Sequence, residues 1–177
     1  MKLPLGYLLL AWLLTLPPLT SVADVSDYRL GSGDVISITV FGEPDLSFSN
    51  IRLTDAGTVP YPFLGEVRAN GLTPLGLADA ITRGLRDGYL VSPRVTVNVV
   101  EYRQFYVNGE VRSPGGYAFQ PGMNVRKAIA LAGGRTERAS NRKMYITREG
   151  QFGDGQRVTL DTAMRPGDIL TIEESFF

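Results

Sequence analysis

The sequence contains no cysteine and no histidine. Without thiols there can be no disulfide and no thiolate chemistry, so stability in an oxidising compartment has to come from cores or from association. Without imidazole the Ser–His and Cys–His nucleophile pairs and the usual zinc ligands are also removed. Charge of either sign is not in excess: 18 basic residues balance 18 acidic ones. Such a chain has no long-range field with which to hold nucleic acid or an anionic membrane. Long apolar runs are scarce, and no series of ~10-residue alternating segments is present from which to build an outer-membrane barrel.

What apolar run there is lies at the start. Lys2 is followed by the apolar core Leu8–Leu16, the breaker Pro17-Pro18 and the small residues Ser21-Val22-Ala23 before Asp24. This is the pattern of a cleaved secretory signal over residues 1–23. A retained anchor would call for ~20 apolar residues, and this core is shorter and ended by proline. What remains suffices for one ordinary domain or two small ones. Two units below ~80 residues each, with no disulfide, are thinly stabilised, and oligomerisation is a common remedy.

The organising stretch runs from Leu53 to Ile81. Asp55-Ala56-Gly57 is a turn signal between extended pieces at Ile51–Thr54 and Thr58–Tyr61. Pro60 and Pro62 lack an N–H, which makes Val59–Phe63 an edge strand or a strand end. Gly65 and Gly71 bracket a short strand, Glu66–Ala69. Thr73-Pro74 opens a helix with a hydroxyl cap and a proline at the first helical position. Leu75, Ala78, Ile81, Leu85 and Tyr89 recur at helical spacing, predicting a helix over Pro74–Arg86 with that stripe inward. Gly76 and Gly84 would weaken it, and Asp87-Gly88 ends it. Upstream, Ile36, Ile38 and Val40 alternate with Ser37 and Thr39 in a strand after Gly33-Asp34; downstream, Val95, Val97 and Val99 alternate with Thr96 and Asn98.

The ordered set Leu30-Gly-Ser-Gly33-Asp34-Val-Ile-Ser-Ile38, Asp55-Ala-Gly57, Phe63-Leu64-Gly65, Gly71-Leu-Thr73 and Ser92-Pro93-Arg-Val-Thr-Val97 resembles the polysaccharide biosynthesis/export family. Its members are the Wza-type exporters of capsular and secreted polysaccharides. The resemblance spans nearly all of the chain after residue 23. Asp55-Ala-Gly57 has one residue more than the usual Asp-Gly turn, and many members are lipoproteins, which a chain without cysteine is not. The resemblance implies an α+β fold: a small two-layer polysaccharide-export domain over residues 24–103, then a β-grasp soluble-ligand-binding (SLBB) domain over residues 104–177. In the second unit, Phe105-Tyr-Val-Asn-Gly109-Glu-Val111 and Ser113-Pro114-Gly115-Gly-Tyr117 match the opening strand, turn and return. Asn124 can cap a helix over Val125–Ala132 with Val125, Ala128, Ile129 and Ala132 on one side, and Gly133-Gly134 stops it. Strands are expected at Met144–Thr147 and Arg157–Leu160, flanking a glycine-rich connection, with Arg165–Ile172 closing the fold.

That closing segment repeats the opening one: Gly33-Asp34-Val-Ile-Ser-Ile38 against Gly167-Asp168-Ile-Leu-Thr-Ile172. Asp and Gly are the usual turn formers, and each carboxylate can bond turn amides; the sharper alternative is a shared catalytic Asp. Carboxylate pairs remain chemically possible, as in glycoside hydrolysis, yet the acidic residues are scattered. Gly31-Ser-Gly33 lacks the helix and lysine of a phosphate-binding loop. No nucleophile, base and orienter can be assembled, so an enzyme, a resident cofactor and a metal are not expected.

The charge distribution says more than its sum. From Asn124 to Arg148 seven basic residues (Arg126, Lys127, Arg135, Arg138, Arg142, Lys143, Arg148) meet one acidic residue, Glu137. Arg135, Arg138 and Arg142 are candidates for contact with an anionic polymer or a partner; an ordinary solvated surface is the alternative. Tyr102 and Tyr106, with Phe105, are candidate sugar contacts, since a ring face packs on the apolar face of a pyranose; cementing two domains is the alternative.

By resemblance, the chain is expected to be a subunit of a homo-oligomeric ring conducting capsular or exopolysaccharide, associated with the outer membrane from the periplasm. Its partners would be further copies, an inner-membrane polysaccharide co-polymerase and the exported polysaccharide, with no nucleic acid. The sequence stops at Phe177, five residues after Ile172, where pore-bearing members continue into an amphipathic helix. On that basis a separate outer-membrane β-barrel pore is expected. The rival readings are a monomeric periplasmic module for a soluble ligand, and a ring adaptor of another secretion system.

Overall fold

The computed structural model describes residues 28–151, 153 and 155–175; the signal segment expected at 1–23 lies outside them. The architecture is α+β. Two hydrophobic cores share no member, one drawing on residues 28–99 and the other on 105–172.

In the first unit, strands β1 (Val35–Val40), β2 (Phe48–Arg52) and β5 (Val95–Glu101) form an antiparallel sheet in the order β2-β1-β5. Alternation puts Ile36, Ile38 and Val40 in the core. Between β2 and β5 the chain makes a separate antiparallel hairpin, β3 (Thr58–Tyr61) with β4 (Gly65–Arg68), then helix α1 (Pro74–Arg86). Pro60 is exposed on a two-stranded ribbon, where its missing N–H costs no ladder bond. Thr73 caps the helix, its Oγ1 accepting from the Gly76 amide at 3.0 Å.

The inward face of α1 is Leu77, Ala78, Ile81 and Leu85. Two members of the predicted stripe lie elsewhere: Leu75 is 60 % exposed, and Tyr89, beyond the helix end, is 49 % exposed. The reason is angular. Leu77, Ile81 and Leu85 stack at four-residue spacing with Ala78 beside them, which leaves Leu75 on the flank. Gly84 also has a local explanation. A Cβ there would come within 2.8 Å of Leu64, so the glycine opens a seat for the corner residue Leu64. That packing offsets a helix-propensity penalty of ~1 kcal/mol. At the same corner Phe63 adopts φ 64° and stacks on Tyr89 with ring centroids 5.0 Å apart.

Tyr61 points from the hairpin into the core, 3 % exposed, and its hydroxyl donates to the Leu46 carbonyl at 2.7 Å. Burial pushes the phenol up to about 12. An unfolded tyrosine ionises near pH ~10, so the folded state holds the proton longer. The stability from this group is fully present below pH ~10 and is lost as pH rises toward ~12, by about 2–3 kcal/mol. Urea midpoints measured from pH 9 to 12 should fall more gently for Tyr61→Phe than for the parent chain. Parallel curves would show that the phenol is not what titrates.

The second unit is a five-stranded mixed sheet in the order β7-β6-β10-β8-β9, made of β6 (Phe105–Gly109), β7 (Gly115–Tyr117), β8 (Ala139–Thr147), β9 (Gln156–Arg157) and β10 (Ile169–Glu174). β6 and β10 are parallel; every other pair is antiparallel. Helix α2 (Val125–Leu131) buries Val125, Ala128 and Ile129 in the same core as Phe105 and Leu170. Asn124 Oδ1 accepts from the Lys127 amide at 3.0 Å, and Gly133 and Gly134 take φ 77° and 88° past the helix end. Two strand expectations are corrected. β8 is nine residues long and starts at Ala139, because its N-terminal half pairs with the end of β10 (Glu174 opposite Ala139). β9 is only two residues, since beyond Arg157 the segment turns to the start of α2, Leu160 O accepting from Arg126 N at 2.9 Å.

Candidate functional site

The two units meet where the repeated Gly-Asp phrase occurs twice in space. In Gly31-Ser-Gly33-Asp34 the Asp34 amide donates to Gly31 O at 3.2 Å, Gly33 takes φ 87°, and the Asp34 carboxylate accepts from Gly31 N at 2.8 Å. Arg165-Pro-Gly167-Asp168 does the same: Asp168 N to Arg165 O at 3.2 Å, Gly167 at φ 83°, Arg165 N to Asp168 Oδ2 at 2.7 Å. A tight turn with glycine at its third position needs that positive φ. Both carboxylates are buried, Asp34 completely and Asp168 to 1 % exposure. These are turn-forming aspartates: both oxygens of Asp34 and Oδ2 of Asp168 accept hydrogen bonds.

A buried carboxylate needs a cation or several donors. Asp34 receives both from its own unit, at its edge. Arg103 N donates to its Oδ1 at 2.8 Å and Arg103 Nη1 to Oδ2 at 3.1 Å, while Tyr28 Oη donates to Oδ2 at 2.5 Å. Arg103 Nε donates to Glu149 Oε2 at 2.7 Å, so one guanidinium bridges a carboxylate of each unit. Burial pulls the Arg103 guanidinium down, but Tyr28, Asp34 and Glu149 push it up and prevail. The Tyr28 phenol is raised by burial and by its bond to Asp34. Asp168 has Arg148 Nη1 at 3.2 Å. Burial raises its carboxyl above the usual range, although the Arg165 amide and Arg148 oppose this.

Space for Arg103 is provided by the turns. A Cβ on Gly31 would lie 2.6 Å from its guanidinium carbon, and one on Gly167 would lie 2.6 Å from Glu149 Oε2 and 3.0 Å from Arg103 Nε. Beside this polar latch runs an aromatic ladder. Tyr28 and Tyr102 meet edge-to-face at 4.8 Å, and Tyr102 and Phe119 at 5.5 Å. Tyr28 packs on the first core and Phe119 on the second, so Tyr102 joins the two.

On either side of Tyr102, Arg103 and Phe119 the surface is concave. One cleft, of about 520 Å³, is lined by these residues with Arg29, Arg148, Glu149 and Arg165; the other, of about 830 Å³, runs past Gln104, Tyr106, Gln120 and Arg52. Among the described residues, no group of three acidic side chains is placed to hold a metal ion. The arrangement suits binding: guanidinium groups and aromatic faces converge on an open, part-apolar groove.

The sequence-predicted contacts divide between places. Tyr102 lines both clefts and Tyr106, 47 % exposed, lines the larger one. Phe105 is instead core, fully buried and stacked on Tyr117 at 5.9 Å. Arg135, Arg138 and Arg142 line neither cleft. Arg138 is paired with Glu174 through Nε at 2.7 Å and through Nη2. Arg135 bridges backbone-to-backbone with Val111, and Arg142 lies on β8, its carbonyl accepting from Arg157 Nε at 2.9 Å. Arg126 pairs with Asp161 and Arg148 with Asp168, so acidic residues from elsewhere in the chain neutralise three of the seven cations in the basic segment. Sequence reasoning missed Tyr28, Arg103, Phe119 and Glu149. The one available signal was the repeat, because two buried aspartates must each find positive partners.

Comparison with known proteins fits this two-unit layout. The family profile described as "Polysaccharide biosynthesis/export protein" matches residues 22–100, and that of the SLBB domain matches residues 104–161. The EPS I polysaccharide export outer membrane protein EpsA of Ralstonia nicotianae is 28 % identical over 86 % of this chain and 49 % of its own length. The exopolysaccharide production protein ExoF of Rhizobium meliloti is 31 % identical over 71 % of this chain and 32 % of its own. The Vi polysaccharide export protein VexA/TviF of Salmonella typhi is 28 % identical over 82 % and 46 % respectively. The chain thus spans about half, or less, of the length of the curated relatives it matches. With an export domain joined to an SLBB domain through the Asp34–Arg103–Glu149 latch, the chain belongs to the polysaccharide biosynthesis/export protein family.

Proposed function

We propose that the protein is a non-enzymatic subunit of a closed homo-oligomeric ring that conducts capsular or exopolysaccharide across the envelope of a Gram-negative cell. The observation that carries this reading is the export domain followed directly by an SLBB domain, shared over most of this chain with proteins named for polysaccharide export. Two structural features support it. The latch ties the units with the charge-assisted Arg103–Glu149 bond across a boundary we place at residues 103–104. The first unit also exposes large apolar side chains, Phe41 at 70 %, Phe63 at 65 %, Leu75 at 60 % and Val91 at 97 %, of the kind a subunit interface covers. Cyclic symmetry requires head-to-tail contacts between different faces of each copy. Its partners on this reading are further copies, an inner-membrane polysaccharide co-polymerase, an outer-membrane pore and the polymer itself. The working site is the periplasm beside the outer membrane.

Native mass measurement tests the reading. A ring gives a single species many times the 19.3 kDa of one chain. A strictly monomeric protein at high concentration, alone and with envelope extracts, would favour the soluble-ligand module instead. In cells, deletion should abolish surface polysaccharide; normal surface polysaccharide in a strain with no related chain would refute the assignment.

A further inference from the structure

The smaller junction cleft contains more positive charge than its own carboxylates use. Four guanidinium groups line it. Arg103 is matched to Asp34 and Glu149, and Arg148 to Asp168. Among the described residues, the guanidinium groups of Arg29 and Arg165, both exposed at the cleft, form no ion pair, although the Arg165 charge acts on Asp168 at longer range; Arg29 donates to the Gly71 carbonyl at 3.0 Å. Asp34 and Asp168 are buried and already bonded, so among the described residues lining the cleft Glu149 is the carboxylate that solvent reaches, with its side chain 52 % exposed. Glu149 begins the glycine-rich connection, followed by Gly150 at φ 78°, and it occupies the Nε edge of Arg103. Tyr102 and Phe119 supply aromatic surface on the same wall.

From this we infer that the cleft is a binding site for a carboxylate-bearing sugar unit, whose carboxylate replaces that of Glu149 on Arg103 and is flanked by Arg29 and Arg165, while its pyranose ring packs on Tyr102 and Phe119. A guanidinium edge presents paired N–H donors that match a carboxylate geometrically. In this arrangement Glu149 is an internal stand-in for the ligand. The carboxylate preference rests on the cleft alone; that its bearer is a sugar rests on the export reading above.

The test uses trigalacturonic acid and its fully methyl-esterified form, titrated into the purified protein by calorimetry at physiological salt. The acid should bind at least about tenfold more tightly than the ester, as expected for charge-assisted pairing. Arg29→Gln with Arg165→Gln should remove about tenfold of that affinity. Glu149→Gln, which removes the competing carboxylate, should tighten binding severalfold, whereas Glu137→Gln, an exposed carboxylate outside the cleft, should leave it unchanged. Equal binding of acid and ester overturns the proposal, as does no binding at millimolar concentration. So does an equal response to Glu149→Gln and Glu137→Gln, which would mean bulk charge alone. Acetate binding as tightly as the trisaccharide would reduce the cleft to an anion site and refute the sugar assignment. None of these outcomes alters the native mass, so failure here is separable from failure of the ring reading.

Discussion

Replacing Asp34 with asparagine should lower the unfolding free energy by about 3 kcal/mol, the range for breaking a buried ion pair from one side. The substitution is nearly isosteric, so the effect is electrostatic. Asp34 Oδ2 accepts from Tyr28 Oη, Gly31 N and Arg103 Nη1, and Oδ1 accepts from Arg103 N. A side-chain amide has one acceptor oxygen, and in either orientation it would aim its NH₂ at a donor while leaving the Arg103 guanidinium without its buried countercharge. Asp168→Asn is the internal control. Its carboxyl already sits above the usual range because burial outweighs Arg148 and the Arg165 amide, so the charged form contributes less and the loss should be about 1 kcal/mol. Urea unfolding of both variants decides the matter. Equal losses would mean that the two turns are energetically equivalent and that Arg103 is not the keystone of the junction. Limited proteolysis around residues 101–104 should also quicken in the Asp34→Asn variant alone.

Gly109→Ala should destabilise the second unit by at least about 3 kcal/mol, combining the left-handed penalty with a backbone collision. Gly109 ends β6 at φ 83°, paired with Ile172 of the parallel neighbour β10, and a Cβ would come within 2.0 Å of the Ile172 carbonyl oxygen. That oxygen also accepts from Glu110 N at 2.9 Å, so it cannot move without loosening the β6–β10 pairing on which the sheet depends. Gly88 has a similar dihedral, φ 93°, but open space around it. Gly88→Ala should therefore cost only ~1–2 kcal/mol, the conformational term by itself. Thermal melts would separate the two terms. If the two variants lost the same stability, the close approach at Gly109 would have no energetic weight.

The candidate site illustrates where sequence patterns stop. Tyr102 was visible as an aromatic at the boundary, and the Gly-Asp repeat was visible as two turns. Arg103 carried no pattern of its own: it follows β5 by two positions, and its role comes from Asp34, 69 residues away, and Glu149, 46 residues away. The basic segment from Asn124 to Arg148 read as a patch, yet Asp161, Asp168 and Glu174 come back in space to pair with three of its members.

What the residue order determined by itself were the local decisions. Period-two alternation made β1 and β5, Thr73-Pro74 and Asn124 started the helices, and glycines at positive φ ended them, because backbone sterics and capping act within a few residues. Only the tertiary structure decided which helix face turned inward, why Gly84 had to lack a side chain, and how far β8 extended along β10. It alone brought Arg103 between the turn aspartate Asp34 and Glu149 as a latch between the units. Each of these depends on atoms brought together across dozens of residues, where packing and the desolvation of charge outweigh local preference.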